Sequence, residues 1–221
     1  MLPAMRVIIS ILIAASFGAT LGAQTTPLPP DVDPHSFSRL PVLTRDDMKD
    51  DDSKRIYDEL AGGSGKTVGA TGPAAISLYS PKAAEAIQML NQYLRFDAGL
   101  SGPVRELSIL VAARETDNQF EWAAHEPVAR KEGLSDAAID VVKNRKSATG
   151  LADEQAVIVQ LGREIFEEKH VAQETFTRAV NKFGKQGLVN IVSLMGSYAS
   201  TAALLRTFDM QLPAGVKPPL P

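Results

Sequence analysis

The 221 residues carry a formal net charge of −3, 44% hydrophobic content and no cysteine. That length suits one sizeable soluble domain. The scattered basic residues leave no electrostatic footprint for a nucleic-acid partner, and the lack of thiols excludes disulfides and thiol chemistry alike.

At the start of the chain a single positive residue, Arg6, precedes the apolar run "VIISILIAASFGA", and no charge follows until Asp31. This reads as a secretory signal over residues 1–23 and predicts a secreted or periplasmic product. Cleavage after Gly22 fits the small-x-small pattern of Thr20-Leu21-Gly22; cleavage after Ala23 is the looser alternative and the one favoured. The competing reading is an uncleaved anchor, but the run is shorter than the ~20 residues a span requires, so no stable membrane insertion is expected after processing.

Residues 24–40, "QTTPLPPDVDPHSFSRL", are rich in proline and polar residues with no apolar period and predict an exposed, extended linker containing His35. A helical domain over 41–221 follows. "LTRDDMKDDDSKRIYDELAGG" places Asp47 three residues after Thr44, an N-cap pattern, and ends in a glycine pair, which marks a surface helix. The next stretch, "GGSGKTVGATGP", invites comparison with a phosphate-binding loop. The motif fails at its first position, where Leu60 stands in place of glycine, and no strand precedes it.

From Pro81 onward, helical segments are predicted at 82–98, 103–115, 118–132, 136–144, 152–169, 173–183 and 186–208, with no strand. Pro103 at a first helical position, Gly133, Ser135 and Gly184 supply the punctuation. The fold class is therefore all-α. The last segment, "LVNIVSLMGSYASTAALLRTF", is apolar on nearly every face and reads as a central core or subunit-contact helix; "LPAGVKPPLP" closes the chain as an extended tail.

Within 118–132, Glu121 and His125 coincide on the helical wheel, about 140° from the Glu126 and Arg130 pair that marks the solvent side, so both should face inward. Glu132 shares their sector at the helix end. In the preceding helix Glu106 lies among Ile109, Leu110 and Ala113, opposite Arg105, Ser108 and Glu115. A plain alternative places Glu106 near the helix N-terminus for the dipole, and makes the other two a buried ion pair. Two inward carboxylates with a histidine between them are also the minimal kit for general acid–base catalysis. No second histidine has metal-ligand spacing; His170 suits the end of its own helix, and no metal or organic cofactor is expected.

The segment "RELSILVAARETDNQFEWAAHEPVARKEGLSDAAI" resembles the core motif of the carboxymuconolactone decarboxylase and AhpD-like alkylhydroperoxidase superfamily. The resemblance runs over roughly 39–221, including "LRFDAGLSGPVREL", "GSYASTAALLRTFDMQLPAG" and the closing "PLP". It implies an AhpD-like helical bundle. The peroxidase branch has a glutamate, a C-x-x-C pair and a histidine four residues after the second cysteine. Here these positions hold Glu106, Asn118, Glu121 and His125, so thiol peroxidase chemistry is ruled out.

What the resemblance then implies is an exported, cofactor-independent lyase, decarboxylase or isomerase acting on a small carboxylated or lactone compound. Glu121 and His125 would be the acid–base pair, Glu106 would orient His125, and Asn118, Phe120 and Trp122 are candidates to line the substrate pocket, with a plain core role the competing reading for Phe120 and Trp122. A homotrimer or hexamer is expected. The rival reading is a non-catalytic ligand-binding or assembly protein on the same fold, and the access of solvent to His125 discriminates between the two.

Overall fold

The computed structural model describes residues 28–61 and 72–221. The signal reading of 1–23, and the glycine-rich loop up to position 71, fall outside the described residues. Among those described there are eight α-helices and no strand beyond one isolated bridge, Asp33 with Ser38. The all-α reading holds.

Helix α1 (Asp51–Leu60) starts on Asp50, whose carboxylate accepts from the Ser53 N–H at 2.8 Å. Thr44, expected to cap it, instead caps only the short 3-10 turn Arg45–Asp47. α2 (Pro73–Ser77), too short for a periodic signal, was not predicted. α3 (Pro81–Gln92) runs into a π-turn at Tyr93–Asp97, and together they fill the predicted 82–98 segment. Ile56, Leu78 and Ala84 form a small satellite core beneath α1 to α3.

The main core is built on α4 (Gly102–Glu115), which packs against α5 (Gln119–Lys131), α6 (Asp136–Lys143), α7 (Asp153–Arg163) and α8 (Gln173–Thr207). The polar side expected for α4 hardly exists. Ser108 is fully buried and donates back to the Val104 carbonyl at 2.8 Å, while Arg105 and Glu115 are largely covered. A helix buried on every face needs close neighbours. Gly162 of α7 supplies one such contact, since a Cβ built there would overlap Cγ1 of Val111.

α7 ends in a second π-turn, Glu164–Glu168, and α8 begins without a side-chain cap of its own. The buried Glu164 carboxylate serves instead, accepting from the Ala172 N–H at 2.9 Å, Thr175 Oγ1 at 2.7 Å and Gln160 Nε2 at 2.8 Å. Gly184 (φ 67°, ψ 172°) breaks α8 in two, at the boundary predicted between the last two segments. Its C-terminal half buries Ile191, Leu194, Met195 and Tyr198 but exposes Val189 and Val192.

Where described, the segments expected to be extended, 24–40 and the C-terminal tail, depart from that expectation. Val32 and Ser38 are buried, the Arg39 N–H donates to the Phe208 carbonyl at 2.8 Å, and the Gln211 N–H donates to the Phe37 carbonyl at 2.8 Å. The stretch expected as a free linker is therefore, from Pro29 on, folded against the end of α8. At the C-terminus Leu220 enters the main core, and the Gln119 side chain holds its backbone at both the N–H (2.8 Å) and the carbonyl (3.3 Å).

Candidate active site

The turn between α4 and α5 sets the site. Asp117 adopts φ 50°, and the Asn118 and Asp117 N–H groups return to the carbonyls of Ala113 and Arg114, closing α4 in a Schellman-like turn. Asn118 then caps α5, its Oδ1 accepting from the Glu121 N–H at 3.1 Å. This reversal lays the two helices antiparallel, so that residues 19 apart meet.

Those residues are Glu106 and His125. Glu106 is the fifth residue of α4, just past the first turn, and is fully buried against His125, so the dipole account alone does not explain it. Its Oε2 lies 2.8 Å from His125 Nδ1, and its Oε1 accepts from Arg105 Nε at 3.0 Å. Burial pushes the Glu106 carboxyl up, but the His125 hydrogen bond, the His125 charge and Arg105 outweigh it and hold the carboxyl below its usual range. An ionised Glu106 accepts a hydrogen bond from Nδ1–H in either state of the ring, and in the neutral ring this tautomer makes Nε2 the basic nitrogen.

Nε2 faces two groups. The Tyr198 hydroxyl of α8 is 3.0 Å away, with the phenol ring edge-on to the imidazole at a centroid distance of 5.1 Å, and Glu121 Oε2 stands at 3.5 Å. Burial drives the Tyr198 hydroxyl strongly upward, so it stays protonated. Burial also raises Glu121, against opposing pulls from His125 and Arg95. The predicted trio of Glu106, Glu121 and His125 therefore does come together, joined by a tyrosine that sequence reading passed over. Its only signal was a hydroxyl-bearing aromatic among the small residues of "GSYAS" in a largely apolar helix.

The expected pocket walls take other places. Trp122 is fully enclosed in the core and donates its indole N–H to Glu126 at 2.6 Å. The Phe120 ring lies against Gly72, where a Cβ would come within 2.9 Å of Cζ. Asn118 is a helix cap, although its buried Nδ2 has no hydrogen-bond partner among the described residues.

The site is nearly closed. Glu106 has no exposed surface, and Glu121, His125 and Tyr198 keep 5–7% each. A groove of about 410 Å³ between Ala98–Ser101 and Phe183–Asn190 does not include His125. Among the described residues, no three His, Asp or Glu side chains are arranged to hold a metal ion.

In sequence, residues 81–159 match the model of the carboxymuconolactone decarboxylase family. That span covers Glu106, Glu121 and His125 and stops short of Tyr198. No curated protein matches the chain.

Proposed function

We propose, from the match of residues 81–159 to the model of the carboxymuconolactone decarboxylase family, that the chain is an acid–base enzyme of lyase, decarboxylase or isomerase type acting on a small carboxylated or lactone compound. The carrying observation is the 2.8 Å bond between Glu106 and His125 Nδ1, which turns a basic Nε2 toward Tyr198 and Glu121.

In this reading His125 is the base. Its Nε2 takes a proton from carbon next to a carbonyl, and the electron pair moves onto the carbonyl oxygen as an enolate. Once Nε2 carries the proton it no longer accepts from Tyr198, so the phenolic O–H is freed to donate to the enolate oxygen. Glu106 stabilises the imidazolium through Nδ1. Returning the proton from Nε2 to carbon completes an isomerisation, as does donation from a protonated Glu121 that Nε2 then reprotonates; in a decarboxylation, where Nε2 has taken no proton, a protonated Glu121 protonates the enolate left after CO₂ departs. A thiol peroxidase has no nucleophile in this chain.

The test is solvent deuterium exchange at carbon, followed by NMR, across small lactones, keto acids and phenolic acids. Exchange should appear with the native protein. His125→Gln and Glu121→Gln should each lower it by ~10²–10⁴-fold, with the double variant scarcely worse than either single. Additive losses, or fully active variants, overturn the reading. A second reading, a non-catalytic ligand-binding or assembly protein, is favoured by one observation: the small exposure of His125. It predicts no exchange with any compound.

A further inference from the structure

Arg95 carries a buried side-chain N–H that stays unpaired among the described residues. It stands in the π-turn Tyr93–Asp97, a type of helix irregularity frequent at functional sites. Its backbone is anchored, since Arg105, the residue that holds Glu106, also donates to the Arg95 carbonyl at 3.2 Å. Its side chain is covered on one face by the half-exposed Phe96 ring, 5.2 Å from the guanidinium carbon. Its Nε is buried with no hydrogen-bond partner among the described residues. A buried guanidinium N–H left unpaired costs free energy that an anionic ligand would recover.

The charge count around the imidazole points the same way. Arg105 is committed to Glu106 and Glu132, whereas Arg95 forms no ion pair among the described residues, yet its positive charge reaches both Glu121 and Tyr198. With Glu121 tending to its neutral form, the Nε2 side of the site has a surplus cation.

We propose that Arg95 is the anion-recognition residue of this site, receiving a substrate carboxylate through its guanidinium while the carbon to be deprotonated lies at His125 Nε2. The inference rests on the acid–base reading for the place of the reacting carbon, and it narrows the substrate to a small carboxylic acid over a neutral lactone. Arg95 would act in binding and selectivity; the proton transfer remains with His125.

The experiment measures binding of short aliphatic carboxylates and benzoate, each beside its primary amide, by chemical-shift changes at the His125 ring. The native protein should bind at least one carboxylate and prefer it to the amide. Arg95→Met should weaken that binding by roughly 10- to 100-fold, the worth of a charge-assisted hydrogen bond, with Arg95→Lys between the two. Thermal melting of Arg95→Met provides the folding control, and its backbone anchor to Arg105 does not depend on the side chain. Equal binding of carboxylate and amide, undiminished binding by a folded Arg95→Met, or no carboxylate binding at all overturns the proposal. His125→Gln keeps the two ideas separable, its binding followed at the Tyr198 ring. Retained carboxylate binding with lost exchange supports both, whereas Arg95-dependent binding with exchange intact in His125→Gln sinks only the acid–base reading.

Discussion

Glu106 and Glu121 touch the same imidazole and are pushed in opposite directions, which gives them opposite roles in stability. Glu106 is held below its ordinary range, so its contribution is complete above the unfolded value of about 4.3 and is lost as pH falls through the folded one. Glu121 is raised by burial; the fold is favoured below the unfolded value, and that advantage is lost as pH rises through the folded one. Glu106→Gln should therefore destabilise the protein at neutral pH by on the order of 3–5 kcal/mol, the usual cost of breaking a buried pair. Glu121→Gln should leave stability unchanged or raised. Urea unfolding of both variants on either side of neutral pH checks this, and equal losses in the two would contradict it. The inward placement of these acids was legible from helical spacing alone. Tyr198 and Arg95 were not, because a wheel gives the direction a side chain leaves one helix and says nothing of what waits there from another.

Among the elements, the helix boundaries from 81 onward were readable because proline, glycine and serine act within a few residues of where they stand. Two kinds of contact were not. One is close helix approach: Gly162 interrupts no pattern, yet it admits Val111 between α7 and α4. Gly162→Ala should cost about 1–3 kcal/mol through overpacking, although alanine is the better helix former, and Val111→Ala in the same chain should recover part of the loss. Additive losses in thermal or denaturant unfolding would argue against the contact. The other kind is the return of the chain ends. A proline-rich sequence reads as extended whether or not it is held, and the Gln119 clamp on Leu220 bridges 101 positions. Removing Leu220 and Pro221 should destabilise the protein by about 1.5–3 kcal/mol, the burial value of one large apolar side chain, and should speed amide exchange in the first turn of α5. Unchanged exchange there would show that the tail rests on α5 without bracing it.

For the molecule as a whole, α8 is long and apolar enough to cross a membrane by composition, with 44% of its most apolar window buried. The uncovered part matters. Ser197 and Asn190 hydrogen-bond to Asn91 and the Ala98 carbonyl, so α8 lies beside α3 and its π-turn, and both expose apolar residues: Val189 and Val192 from one, Met89, Leu90, Tyr93 and Phe96 from the other. We propose that these surfaces join copies of the chain into a homotrimer or hexamer. Light scattering at micromolar concentration should give such a mass, and Val189→Glu should lower it; a native monomer would refute the assembly. Export is the companion proposal, and intact mass of the exported protein should begin at or near Gln24. A full-length chain in the membrane fraction would overturn it.

The two bonds of the His125 ring close loops of very different length: 19 positions to Glu106, 73 to Tyr198. Short loops lose less chain entropy on closing, so the α4–α5 hairpin is expected to form early in folding and α8 to dock onto it late. The two contacts of one imidazole would thus be separated in time, one in the folding nucleus and one after the barrier. Glu106→Gln should slow refolding. Tyr198→Phe, which deletes only the late bond, should leave refolding unchanged and speed unfolding, and stopped-flow rates across denaturant would show a shift confined to the unfolding arm. Slower refolding of Tyr198→Phe would mean that α8 is already in place when the barrier is crossed.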